Sequence, residues 1–117
     1  MEDEIKGLKQ ERSTLTSKVK TAAIGFESCL QRNEQDLEYQ FQAVQHAFND
    51  FTSCHLSYEE AIKADDSFET YKNVNGLNLD DYYNVVKLMH DNALALFVKF
   101  QAEKLEKHSI LFVKPNQ

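Results

Sequence analysis

The residues best spaced for metal chemistry lie on one side of a predicted helix. His46, Asp50 and Cys54 recur every four residues, which aligns them along one helical face. A zinc site usually takes four ligands, and the sequence has no second His or Cys pair at ligand spacing. We therefore predict that His46 and Asp50 are solvated, that Cys54 is a core residue, and that there is no metal site.

A calcium loop is the second possibility, at Asn73-Val74-Asn75-Gly76. If Gly76 takes the glycine position of an EF-hand loop, the first and last ligand positions fall on Tyr71 and Tyr82. Neither side chain supplies the carboxylate that the loop needs. The segment therefore predicts a turn rather than a calcium site.

Candidate acid/base groups are limited to two adjacent pairs, Asp65–Asp66 and Asp80–Asp81. Neighbours in sequence point in different directions on a helix, and capping and dipole effects explain acids at helix ends. No Gly-rich phosphate loop, nucleophile-elbow motif or Cys–His motif is found. We predict a protein that is not an enzyme, with no catalytic residues and no cofactor.

The elements that position these residues follow from apolar side chains at alternating spacings of three and four. This pattern predicts helices over about 3–31, 34–64 and 79–108, and Arg12 is the one polar interruption of the first. Only three Gly and one Pro are present, too few for the turns of a strand-rich domain. We predict an all-α fold, an up-down-up bundle of three long amphipathic helices resembling an antiparallel coiled coil. A short helical turn is expected at about 67–73, in the second connection.

The connections differ in how well the sequence marks them. Asn33 resembles an N-cap, but no Gly or Pro separates the first two helices, so one continuous helix is the alternative to a hairpin near Arg32–Asn33. We favour the hairpin, because one long helix would leave its wide apolar face uncovered in a monomer. Asn75–Gly76 is the strongest turn signal, and Asn78 is predicted to cap the last helix.

Two apolar runs exceed what three helices can cover. Residues 93–98 are apolar all round the helix, which is typical of a helix buried on every side. We divide the chain into a bundle domain, 1–109, and an apolar tail, 110–117, which either folds back onto the bundle, the favoured alternative, or docks on a partner. The candidate interaction residues are Leu94, Phe97, Val98, Ile110, Leu111, Phe112 and Val113.

Composition bounds the partners and the compartment. The formal net charge of −6 argues against nucleic acid, which requires clustered Lys and Arg. No stretch approaches the roughly 20 apolar residues that span a bilayer, so no membrane is expected. The acidic N-terminus is unlike a secretory signal, which predicts a cytoplasmic protein. Cys29 and Cys54 are predicted to be free, mostly buried thiols, since the helical pattern sets them about 25 Å apart.

Two segments resemble a known family. Leu8-Lys9-Gln10-Glu11-Arg12-Ser13-Thr14-Leu15, followed by an apolar heptad, and the later Tyr58-Glu59-Glu60 resemble the helical region near the start of Gag-like polyproteins of Bel/Pao-type LTR retrotransposons. The resemblance extends over about residues 8–100 as a pattern. The protease and zinc knuckles that follow in that family have no counterpart here. The resemblance implies a self-associating structural module without catalytic residues.

These patterns favour a non-enzymatic module for protein–protein interaction or self-assembly, expected to bind protein as a homo-oligomer. The alternative is a carrier or sensor of a small ligand, with an aromatic cavity between the second and third long helices. Helical spacing favours ordinary core packing for those aromatic residues.

Overall fold

The computed structural model describes residues 2–32, 36–64, 68–74 and 76–113, with side chains as far as Leu105. Three long helices account for most of the described chain, and one helical turn and a two-stranded ribbon join the second to the third. The elements in order are α1 (Glu2–Arg32), α2 (Leu37–Ala64), α3 (Phe68–Tyr71), β1 (Asn73–Val74), β2 (Leu77–Asn78) and α4 (Leu79–Val113). The predicted all-α bundle of three long helices is confirmed.

Side-chain contacts give the direction of each helix. At one level Arg12 of α1 lies over the rings of Tyr58 and Tyr82. At the other, Phe26 of α1 contacts the rings of Phe41 and Phe97. From the first level to the second, residue numbers rise along α1 and α4 and fall along α2. The order is therefore up-down-up, and α1 and α2 form the predicted hairpin rather than one continuous helix.

The core consists of three clusters along the bundle, as expected when each helix turns one apolar face inward. One cluster lies near the start of α1, one in the middle, and one near the α1–α2 connection. Their buried members are, in that order, Ile5, Tyr58, Ile62 and Leu79; Leu15, Val19, Phe48, Phe51, Cys54 and Val86; and Phe26, Cys29, Leu37, Phe41, Val44 and Ala93.

The second connection contains a ribbon that the sequence did not predict. Val74 pairs with Leu77 and Asn73 with Asn78 in an antiparallel register. Gly76 has a φ of 83°, a left-handed conformation that glycine adopts without a Cβ clash. The predicted helical turn is present as α3, and the predicted turn at Gly76 closes the ribbon.

The observed helix ends agree with the predicted ends at the start of α4 and differ from them at the start of α2 and the end of α4. The Asp81 backbone N–H donates to the Asn78 Oδ1 at 2.8 Å, so Asn78 is the predicted N-cap of α4. α2 begins at Leu37 rather than near 34, and the expected cap Asn33 lies outside the described residues. α4 ends at Val113 rather than near 108. Between Leu79 and Val113 the sequence has no Gly or Pro that would end the helix earlier.

Candidate functional site

The outer side of α4 carries apolar side chains that the bundle does not cover. Val98 is 54% exposed, Leu105 67% and Leu94 38%. Spacings of four and seven residues place them on one side of the helix. We call these three residues the outer stripe. Exposed apolar residues that line up in this way mark interaction sites more often than scattered ones do.

The apolar run 93–98 divides between the core and the surface. Ala93 is buried, Leu96 and Phe97 are half-buried, and Leu94, Ala95 and Val98 are exposed. One copy of the chain therefore leaves part of this run uncovered, as predicted from its surplus over what three helices can cover. Its surplus apolar surface faces outward.

Phe97, one of the candidate interaction residues, belongs to the core. Its ring stacks on Phe41 with centroids 4.6 Å apart and meets the edge of Phe26 at 6.2 Å. Burial of aromatic rings in such contacts stabilises the bundle. Phe97 therefore holds α4 in place and is not part of the outer stripe.

The C-terminal end of α4 extends past the rest of the bundle. Phe100 is its last half-buried side chain, and every side chain from Gln101 to Leu105 is exposed. Lys104 follows Ala93, Phe97 and Phe100 on the inward face, yet it too is exposed. We call Gln101–Val113 the projecting end; it is about 20 Å of helix.

The remaining candidate residues, Ile110–Val113, lie on this projecting end. The backbone of α4 continues through them without a break, so no separate segment begins at residue 110, and residues 114–117 of the predicted tail lie outside the described residues. Their side chains lie outside the described part of the chain. Because α4 has no break before Val113, Ile110–Val113 continue along its axis, away from the bundle core.

A second unusual feature is a buried cation. Arg12 is 2% exposed, and its guanidinium carbon lies 4.2 Å from the ring centre of Tyr58 and 5.0 Å from that of Tyr82. Its Nε and Nη1 atoms have no hydrogen-bond partner, and no ion pair of Arg12 is seen in the described residues. A desolvated cation over an aromatic face gains about 2 kcal/mol, so the two rings take the place of a carboxylate.

His55 completes this group, which we call the arginine cluster (Arg12, His55, Tyr58 and Tyr82). The ring of His55 is buried beside the rings of Phe51 and Tyr82, with centroids 5.6 and 6.2 Å away, and its Nδ1 has no hydrogen-bond partner among the described residues. Burial, and next the charge of Arg12, lowers the pKa of His55. Its ring is therefore neutral near pH 7, which avoids two adjacent buried positive charges.

The tyrosines of the cluster are held by hydrogen bonds. The Tyr58 hydroxyl donates to the Tyr71 carbonyl oxygen at 3.1 Å, and burial raises the pKa of Tyr58. The hydroxyls of Tyr82 and Thr16 are 2.6 Å apart. The cluster thus joins α1, α2 and α4 at one level.

The residues first considered for metal chemistry are not assembled into a site. His46 and Asp50 are exposed and Cys54 is buried, as predicted. No group of three His, Cys, Asp or Glu side chains in the described part of the chain could hold a metal ion. Cys29 and Cys54 are both buried and unbridged, as predicted, and burial raises the pKa of the Cys54 thiol.

The acidic pairs do not form a site either. Asp80 and Asp81 are exposed in the first turn of α4, where the helix dipole favours negative charge. Asp65 and Asp66 lie outside the described residues. Asp80–Asp81 is therefore explained by the start of the helix.

The aromatic rings between α2 and α4 fill the space that a ligand cavity would need. Phe48 lies 4.8 Å from the His90 ring and 5.8 Å from the Tyr83 ring, centre to centre. A cleft of about 470 Å³ lies instead between α1 and α2, lined by Leu8, Glu11, Leu15, Lys18, Asp50, Ser53, Cys54 and Ser57. A second, of about 380 Å³, lies beside the ribbon, and no aromatic of the α2–α4 contact lines either cleft.

Two residues of this description were missed from the sequence. Leu105 was overlooked, although it lies seven residues after Val98 and seven before Phe112. In the sequence, Arg12 is the one polar interruption of the first heptad pattern. A charged residue at a core position is the signal that could have identified a buried polar cluster.

No protein-family model matches the sequence, and comparisons with curated proteins and with solved structures found no significant match. The likeness to Gag-like polyproteins therefore stays a prediction. Within the described residues, none of the helices has the length and apolar character needed to cross a membrane.

Proposed function

We propose that this protein is a non-enzymatic, cytoplasmic interaction module that binds other protein chains through the outer side and projecting end of α4. The observation that carries the proposal is the outer stripe: three large apolar side chains on one side of a helix, each more than a third exposed. Exposed apolar area of this kind is unfavourable in water and is removed when a partner covers it.

The projecting end supports the same proposal. Isolated helices of about this length are marginal in water, because most helical stability in proteins comes from packing of an apolar face. The side chains from Gln101 to Leu105 are all exposed in the part of the chain that the structure describes. A partner helix against the outer stripe supplies that packing, in the way amphipathic helices pair in coiled coils.

The carrier or sensor function has less support, because the rings between α2 and α4 are in direct contact with one another. We therefore favour binding of protein over binding of a small ligand. The Gag-like resemblance, which implies self-association, is compatible with this choice but does not carry it.

A photoreactive amino acid placed at Leu105 tests the proposal in cells that express the full chain. Leu56, on α2, is the matched control, since it is a leucine with 54% exposure outside the outer stripe. We expect a discrete cross-linked protein adduct from position 105 and only diffuse background from position 56. Equal labelling from both positions, or none from position 105, contradicts the proposal.

A further inference from the structure

The outer side of α4 carries a seven-residue repeat of small and large residues. Ala95 and Ala102 alternate with Val98 and Leu105 at spacings of three and four, and all four side chains are exposed. The same spacing continues in the sequence to Ser109 and Phe112, on the projecting end. We call these six positions the outer seam; it spans about 27 Å of helix.

We propose that the partner of the outer seam is a second copy of this chain, paired antiparallel along α4; this rests on the proposed function. In an antiparallel pair of heptad helices, each position of one kind faces a position of the other kind. Here that rule sets every small residue opposite a large one: Ala102 faces Leu105, Val98 faces Ser109, and Ala95 faces Phe112. Small residues let the two helices approach closely while the large ones fill the space.

Charge at the edge of the seam selects this register. Lys99 and Glu106 both occupy the position next to the large residues of the seam. In the register just described, Lys99 of one copy lies within about 3 Å, along the helix axis, of the level of Glu106 of the other, and the two-fold symmetry makes this pair twice. A shift by one heptad instead sets Lys99 level with Lys99 of the second copy and brings Asp91 into the seam. Opposite charges in the first register and like charges in the second fix the alignment.

The shape of the monomer permits this pairing. The seam lies on the side of α4 opposite Val86 and Ala93, which are buried against α1 and α2. The projecting end of one copy therefore lies along an uncovered side of α4 in the other, and the two bundles point away from each other. Each monomer is 71 Å long, so overlap along the seam gives a dimer of roughly 115 Å.

Sedimentation equilibrium of the full chain is the first measurement, with Leu105→Lys and its matched control Leu88→Lys. Leu88 is also on α4 and 58% exposed, but it lies one heptad before Ala95 and has no facing residue in the proposed register. We expect the wild type and Leu88→Lys to form dimers and Leu105→Lys to be monomeric. A wild-type monomer at high micromolar concentration overturns the self-pairing. A position-105 photoadduct containing a different protein would then still support the proposed function.

Charge exchange tests the register. Glu106→Lys sets like charges against Lys99 twice per dimer, and we expect self-association about tenfold weaker. The double variant Lys99→Glu/Glu106→Lys restores the opposite pairs, and we expect it to recover the wild-type affinity. Equal affinity of the single and double variants contradicts the register.

Spin labels at Asn84→Cys test the direction of pairing. Asn84 is exposed, whereas the native cysteines are buried and react poorly with the label. Antiparallel pairing in this register separates the two labels by about 60 Å, whereas parallel pairing brings them to roughly 10 Å. A short distance between the labels overturns the antiparallel arrangement.

Discussion

The two parts of α4 differ in what covers them. From Leu79 to Phe100 the helix is packed against α1 and α2, and its inward apolar residues are buried or half-buried. From Gln101 onward the described side chains are exposed on every side, although α4 continues as one helix. The first part is stabilised by packing within its own chain, whereas the described side chains of the second part are all exposed. The comparison teaches that one helix can contribute to the fold along one part and leave the other part open to solvent.

Removing one large side chain from each part of α4 or its packing tests most strongly whether the two parts contribute differently to stability. Phe41, which packs against the first part of α4, is 4% exposed and touches the rings of Phe26, Phe97 and His90. We expect Phe41→Ala to lower the free energy of unfolding by about 3–5 kcal/mol, because it leaves a cavity.

Leu105→Ala is the matched change in the second part. In dilute solution, where the chain is monomeric, we expect it to change the free energy of unfolding by less than about 0.5 kcal/mol. Urea unfolding of both variants checks the pair. A comparable decrease in the free energy of unfolding in both variants would mean that Leu105 stabilises the monomer.

Arg12 tests whether the packed part depends on charge or on volume. We expect Arg12→Ala to destabilise the bundle by about 3 kcal/mol, because the long side chain fills buried space. Arg12→Met keeps most of that volume without a buried charge, and we expect it to be neutral or stabilising by about 1 kcal/mol. Chemical denaturation of both variants is the measurement. A large decrease in the free energy of unfolding of Arg12→Met would show that the guanidinium over the two tyrosine rings, rather than side-chain volume, provides the stability.

His55 gives a smaller, pH-dependent effect in the packed part. Its pKa is lowered in the folded chain, so below about pH 6.5 the unfolded chain binds more protons. Stability is therefore complete above that pH and falls as the pH is lowered toward the folded-state pKa. We expect the urea midpoint to decrease from about pH 7.5 to about pH 5.5 and to decrease less in His55→Gln. Equal decreases in both proteins would exclude His55 as the source.

The fold was largely predictable because heptad spacing reports which side of a helix must be buried. The three helices, the hairpin, the helical turn and the Asn78 cap all follow from local patterns of this kind. The end of α4 was not predicted, because nothing in residues 109–113 favours continuing a helix over folding back. The ribbon was also missed, since two residues on each side of Gly76 are too few to show an alternating pattern.

The exposure of some residues of the proposed site was predictable from the sequence. Leu94 and Val98 were identified because an all-round apolar run cannot be covered by two neighbouring helices. Phe97 was included for the same reason, but the phase of the helix turns it toward Phe41 and Phe26. Periodicity alone does not give that phase; it depends on where α1 and α2 lie. The burial of Arg12 is likewise a tertiary effect, since Tyr58 and Tyr82 are distant in sequence.

Hydrogen exchange at two protein concentrations tests most directly whether the projecting end is covered by a second copy. We expect the amides of Gln101–Val113 to exchange rapidly in dilute solution and slowly in concentrated solution. Amides of α2 should be protected equally in both, since their hydrogen bonds lie within one chain. Protection of the projecting end that does not change with concentration would contradict the account.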